Sequence, residues 1–371
     1  MQLTPLVRGV AAGAAALALA AAPAEREAAG DGEVTVRGAY YKERSTRVAQ
    51  PMIDGRFEVG DGGELAVHAL LDSISSASVA AGAAGQAFNE NRVEVGGSYV
   101  HRIRTVRVGG GGRVSNEPDY KSVFLHLRGE LELADQNTIV ALNLAGGRDE
   151  VSNAGAQNEM MPERIEGVLY TSLGSVSVSQ VLSPVLVGQL TYDLVHLDGF
   201  QENPYRSVAA GGDLVAERVP ETRNRHAAQA ALRGFVARTR STIVGSYRFY
   251  ADDWGVIGHT PELRLVQQIV PDLDLHLRYR YHHQSKADFY RVVYDSADPA
   301  VERWLTDDDK LSKLTTHTVG GKLDVGLALL GFRGGYLAGA RVQATFEYIT
   351  QSTHYGNAVE AEMAFSVPFD Y

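Results

Sequence analysis

Leu273-Asp274-Leu275-His276-Leu277-Arg278-Tyr279-Arg280-Tyr281-His282 decides the fold. Leu273, Leu275, Leu277, Tyr279 and Tyr281 take the odd positions; Asp274, His276, Arg278, Arg280 and His282 take the even ones. Successive side chains of a strand point to opposite faces, so this segment reads as a strand with one apolar and one charged face. A helix would mix both kinds on every side. The same period runs through Val123–Leu133, Val319–Leu329, Ala340–Tyr348, Leu65–Leu71 and Val93–Tyr99. A soluble sandwich also alternates. Two details favour a membrane barrel. The polar face carries charges of both signs in mid-strand, as a wet lumen would. The apolar face ends in Tyr40, Tyr99, Tyr192, Tyr279, Tyr281 and Tyr348, as a girdle at the lipid–water boundary would. Lipid gives backbone groups no water to bond, so such strands must close into a ring.

Sixteen strands are expected, starting near Val34, Arg47, Glu64, Arg92, Thr105, Lys121, Thr138, Arg164, Leu186, His226, Thr242, Pro261, Leu273, Thr316, Leu337 and Ala358. The turn at Ile103-Arg104 carries neither glycine nor proline; without it the count falls to fourteen. Gly60–Gly63, Ala134–Asn137, Ser183-Pro184, Thr239–Ser241 and Pro271-Asp272 read as tight turns. Longer loops lie between them, at Val79–Asn91, Glu150–Glu163, Asp198–Arg225 and Gln284–Thr315. Short turns at one end and long loops at the other are the habit of transmembrane antiparallel up-and-down β-barrels. The fold class expected is therefore all-β.

Composition agrees. The 371 residues are 44% hydrophobic and 22% charged, which excludes a disordered chain. No cysteine is present, so disulfides, thiolate metal sites and a cysteine nucleophile are excluded. A net charge of −10 argues against nucleic acid as a partner and points to a mild cation preference in any channel. Residues 1–24 read as a signal peptide: Arg8, an apolar stretch from Val10 to Ala22, then Ala22-Pro23-Ala24 before Glu25. Residues 25–371 form the barrel domain. Val359, Ala361, Met363, Phe365, Val367, Phe369 and Tyr371 share one face of the last strand. Phe365, Phe369 and Tyr371 look like the C-terminal sorting signal that the outer-membrane assembly machinery reads.

Several short segments, in this order, resemble a known family. They are Tyr40-Tyr41-Lys42-Glu43, Asp72-Ser73-Ile74-Ser75-Ser76-Ala77-Ser78, Ser115-Asn116-Glu117-Pro118-Asp119-Tyr120, Asn137-Thr138 and Pro204-Tyr205-Arg206. The chain resembles the outer-membrane barrels grouped as the domain-of-unknown-function family "thirty-five seventy". Ser76 stands where that pattern has glycine. The resemblance implies a barrel and supplies no activity.

The candidate site is the charged inner face. Arg128, Glu130, Asp193, Arg248, Arg278, Arg280, Lys322, Asp324 and Arg341 should line the lumen, where rings of charge set ion selectivity. The competing reading has opposite charges pairing across strands and stiffening the wall. The loops at Asp198–Arg225 and Gln284–Thr315 either fold inward as a constriction or plug, or remain outside. Asp252-Asp253 and Asp307-Asp308-Asp309 lack the spacing of a calcium loop. His282-His283, with Asp288 nearby, lacks a metal spacing, and Gly174-Ser175-Val176-Ser177 lacks the second glycine of a nucleophile elbow. No catalytic residue, metal or cofactor is expected. The function expected is a porin-like passive channel for small hydrophilic solutes or ions in a Gram-negative outer membrane, in contact with its lipid. Two alternatives stay open: a structural or adhesive barrel with an occluded lumen, and a barrel hydrolase.

Overall fold

The computed structural model describes residues 31–44, 46–76, 88–153 and 165–370, the side chains of 74–76 and 88–90 excepted. The signal peptide expected at 1–24, and Tyr371, lie outside the described residues. The strands are β1 (Gly32–Lys42), β2 (Thr46–Val59), β3 (Gly63–Ser76), β4 (Phe88–Ile103), β5 (Val106–Asn116), β6 (Tyr120–Leu133) and β7 (Thr138–Ser152). Next come β8 (Glu166–Ser183), β9 (Leu186–Gly199), β10 (Ser207–Ala210), β11 (Asp213–Ala216), β12 (Thr222–Val236), β13 (Ser241–Asp252) and β14 (Ile257–Val270). The last five are β15 (Leu273–Gln284), β16 (Val293–Tyr294), β17 (Leu314–Gly326), β18 (Arg341–Gln351) and β19 (Ala358–Phe369).

Sixteen of them close a barrel in which each strand is antiparallel to its neighbours. The seam is β1 on β19, from Gly32↔Phe369 to Lys42↔Val359. The remaining three, β10, β11 and β16, form a small sheet built from loops. The turn at Arg104-Thr105 is real, with Arg104 in the left-handed region (φ 56°), so the fourteen-strand count is excluded. Ala134, Asp135, Gln136, Arg240 and Asp272 are left-handed too, and all sit in turns at the same end.

The packing is inside out relative to a soluble domain. Leu125 and Leu127 keep 63% of their surface exposed, Leu190 and Met363 65%. This band runs around the outside and matches the lipid-facing belt of a transmembrane barrel. Buried apolar clusters occur in the loops instead. One gathers Val219, Trp254, Val256, Ala287 and Leu311; the other gathers Val208, Ala210, Tyr294 and Leu305. At the loop end, outward tyrosines donate to or accept from histidines on the next strand: Tyr192–His226 at 2.7 Å, Tyr247–His259 at 2.6 Å and Tyr279–His317 at 2.9 Å. Tyrosines were expected there; their histidine partners were not.

One expectation fails at the turn end. A strand starting at Leu337 was expected, but β18 starts at Arg341. Leu327–Leu330 and Gly335–Leu337 are 3-10 turns instead. The apolar alternation of β17 runs on through Leu327 and Leu329, but Gly331 (φ 96°) turns the chain back and the Leu327 N–H donates to the Ala340 carbonyl.

Candidate functional site: a charged wall under a loop plug

The inward face of β1–β6 is an ion-pair lattice. Arg37 binds Asp54, which also holds His68 at 2.8 Å. Arg92 reaches Asp72 at 2.6 Å and Glu94 at 3.8 Å, and Arg113 reaches Glu94 at 3.6 Å. Alternation puts these groups inside, and antiparallel pairing brings opposite charges on neighbouring strands together.

The nine residues expected inside divide into two groups. Five are paired. Arg128 donates to Glu130. Arg278 donates to Glu347 and Glu262, at 2.8 and 2.9 Å. Arg341 donates to Asp324 at 2.7 Å. The other four make no arginine–carboxylate pair. Asp193, nearly buried, bonds Ser175. Arg248 lies over the Tyr250 ring, 5.7 Å from its centre. Arg280 feels Glu262 and Glu347 without bonding them. Lys322 is half-buried beside Asp324 and Glu362. The first group stiffens the wall; the second leaves charge facing the interior. Some inward charged side chains keep roughly a third of their surface accessible, as Arg37, Asp54, Arg113 and Arg278 do, while Glu94, Glu262 and Glu347 keep 10–14%. Wall side chains therefore do not fill the lumen, in keeping with the aqueous bore of a barrel this wide.

The loop end is different. The two longest described loops, 200–221 and 285–313, turn inward and bond each other. Gly199 (φ 117°) makes the bend out of β9; a Cβ there would lie 2.1 Å from the Val168 carbonyl oxygen. β10 pairs with β11 antiparallel and with β16 parallel. Arg218 and Leu305 exchange backbone bonds of 3.0 and 2.7 Å.

Arg206 is the hub. Its guanidinium lies 3.4 Å from Glu217 and 3.3 Å from both Asp307 and Asp308. Thr306 donates to Glu217 at 2.5 Å and the Asn203 N–H donates to it at 2.7 Å. Burial pushes the Glu217 carboxyl up to about 7, against the pull of Arg206. Arg206 and Lys310 hold Asp308 below the usual carboxylate range, although burial opposes them. Tyr205 donates to Asp119, between β5 and β6, at 2.6 Å. Asp309 pairs with His354 at 2.5 Å, and the Arg44 N–H donates to the Tyr355 carbonyl.

These contacts fix the geometry of the mouth. β6, β7, β8 and β9 separate Asp119 from Tyr205 along the wall, and β12, β13, β14 and β15 separate Arg206 from Asp308. Four strands span roughly 19 Å of circumference. Side chains that far apart meet only where the loops leave the wall and cross the opening. The loops thus form a plug, the inward alternative of the two expected. Parts of the segments that carried the family resemblance, Glu117–Tyr120 and Tyr205-Arg206, meet in this plug or at its edge.

The remaining candidates are absorbed structurally. Asp252 accepts from Arg223 and Tyr250. His282 bonds Thr260 and His283 bonds Thr315. Gly174–Ser177 lie within β8. Among the described residues, no group of three or more His, Cys, Asp or Glu is placed to hold a metal ion. In the last strand, Phe365 is exposed and Phe369 packs edge-on against Phe57. Nothing in the sequence marks Arg206 as a hub, because its partners Asp307 and Asp308 stand about a hundred residues away and Glu217 lies within the same irregular loop.

A closed antiparallel ring with an apolar exterior, a charged interior and loops across one mouth defines a transmembrane β-barrel of the outer-membrane type. The chain belongs to the family described as "Protein of unknown function (DUF3570)", whose model matches residues 84–365. No curated protein matches it in sequence. Among solved structures it is similar to CdiB from Acinetobacter baumannii, at 8% identity and TM-score 0.51, covering 91% of this chain and 60% of that one. It is also similar to a bacterial polysaccharide outer membrane secretin, at 8% identity and TM-score 0.50, covering 91% of this chain and 98% of the other. At such identities the likeness concerns the fold.

Proposed function

We propose that the barrel resides in the outer membrane of a Gram-negative cell and gives small hydrophilic solutes or ions passive passage. The observation that carries this reading is the inner wall, charged in mid-strand and open to water. The plug narrows one mouth with polar and charged groups, which are compatible with hydrated solutes. In this reading the plugged end faces the cell exterior, and Phe365, Phe369 and Tyr371 present the sorting signal to the assembly machinery. Catalysis has no support, since Ser175 on β8 bonds Asp193 on the neighbouring β9 and, among the described residues, no histidine bonds either.

The test is planar-bilayer recording of refolded protein whose gel mobility shifts on heating. Stepwise currents are expected. Folded protein that inserts and passes no current would overturn the channel and leave the occluded structural barrel.

A further inference from the structure

Arginines that no carboxylate hydrogen-bonds are concentrated on one sector of the wall. Arg225 and Arg233 on β12, Arg248 on β13 and Arg280 on β15 all point inward, on the face opposite the exposed apolar residues. Among the described residues no carboxylate hydrogen-bonds any of the four. Most carboxylates of this sector are engaged by other arginines: Asp252 by Arg223, Glu262 by Arg278 and Arg264, and Asp274 by Arg341; Asp193 bonds Ser175 and attracts Arg248 without bonding it. Arg225 is 5% exposed, and two of its guanidinium nitrogens, Nε and one terminal amine, have no hydrogen-bond partner.

The four are also ordered in depth. Counted from the turn end, Arg225 stands eleven residues up β12, Arg248 and Arg280 each seven residues up β13 and β15, and Arg233 three residues up β12. The track therefore has three levels, four residues apart, or about 27 Å of strand in all. The top step lies under the plug, beside Arg223 stacked on Trp254 at 4.2 Å. Unbonded carboxylates collect on another part of the wall, as Glu360 and Glu362 on β19.

We infer that Arg225, Arg248, Arg280 and Arg233 form a descending track for small oxyanions, so that the solutes passed are organic acids or phosphates. This rests on the channel reading. A guanidinium offers a planar fork of donors that matches a carboxylate or phosphate, and successive forks hand an anion along without holding it. The net acidity of the chain pointed to cations, but selectivity is set by the charges a solute meets, and most acidic groups here are paired or lie elsewhere.

Reversal potentials in a KCl gradient test the inference, using wild type, the triple variant R225Q/R248Q/R280Q and the doubly conservative R248K/R280K. Heat-shifted gel mobility first establishes that each variant is folded. Wild type should prefer chloride, and the triple variant should move toward potassium by severalfold in permeability ratio. The lysine variant should keep chloride preference but lose block by added potassium citrate or potassium phosphate. Block by citrate alone identifies carboxylates as the cargo, and block by phosphate alone identifies phosphates. Current that is cation-selective, or unmoved by the triple substitution, overturns the track and leaves the channel standing. Absence of current in every folded variant removes both.

Discussion

At Glu217 burial and attraction act against each other. Its carboxyl has an ordinary value of 4.5 and is raised to about 7 in the folded loops. An acid with a raised folded value binds its proton more tightly when folded, so its contribution is intact below about 4.5 and is lost as pH rises through about 7. Burial shifts Asp309 the same way; Asp308 shifts oppositely and weakens the plug only below its ordinary value of 3.8. Loop 200–221 should therefore open more readily at pH 8 than at pH 5.5. Relative to the base-catalysed exchange of unstructured amides at the same pH, protection there should fall by roughly tenfold, given that one pKa unit is worth 1.36 kcal/mol. Glu217→Gln should flatten the dependence; equal protection at both pH values in the unaltered protein would refute it. Arg206→Gln is harsher, because it removes the guanidinium that Glu217, Asp307 and Asp308 share and leaves Asp308 only the attraction of Lys310 and Arg223. A loss of about 3–5 kcal/mol in loop docking follows from stranding buried charge. The check is exchange in 200–221 and 285–313, with strand amides unchanged; protection that persists would show the hub to be dispensable. None of this was readable from the sequence, where Arg206 is one basic residue in a long loop and Asp307-Asp308-Asp309 an ordinary acidic run.

Among the strands, the two faces differ in what they tolerate. Leu127 and Arg128 are adjacent on β6 and point opposite ways. Leu127→Arg places a charge on the apolar belt and should cost about 2–4 kcal/mol in urea unfolding from vesicles. Arg128→Gln breaks a partly exposed pair with Glu130 and should cost under about 1 kcal/mol. The opposite ranking would mean that the faces are assigned the wrong way round. Period-two alternation made the strands legible, and their starts were read to within four residues. The displaced starts are instructive. β4, β12 and β14 begin at Phe88, Thr222 and Ile257, four residues before Arg92, His226 and Pro261. There the backbone ladder continues beyond the lipid belt, so alternation of grease and charge no longer marks it. β18 errs the other way, because Leu337 is apolar without being in a strand. Small elements such as β10 and β16 carry no period at all; their pairing is chosen by the distant loop that each meets.

For the molecule as a whole, the ring is held by sixteen neighbour pairings, and removal of one strand affects two of them. Deleting residues 358–371 takes away β19 and strips the partner from both β1 and β18. The truncated protein should show no heat-dependent gel shift in detergent and should aggregate on refolding. A shifting, monodisperse truncation would mean that the remaining strands can reclose. The fold of the whole was legible because a closed ring repeats one local rule; the plug was not, because it is made once. The pairing of Gly32 with Phe369 also sets an order in time. A ribosome releases the first stave hundreds of residues ahead of its mate. Until that mate arrives, two ragged borders stay hungry for bonds, so the growing polypeptide needs an escort along its whole journey, and the final clasp can be fastened only at the destination.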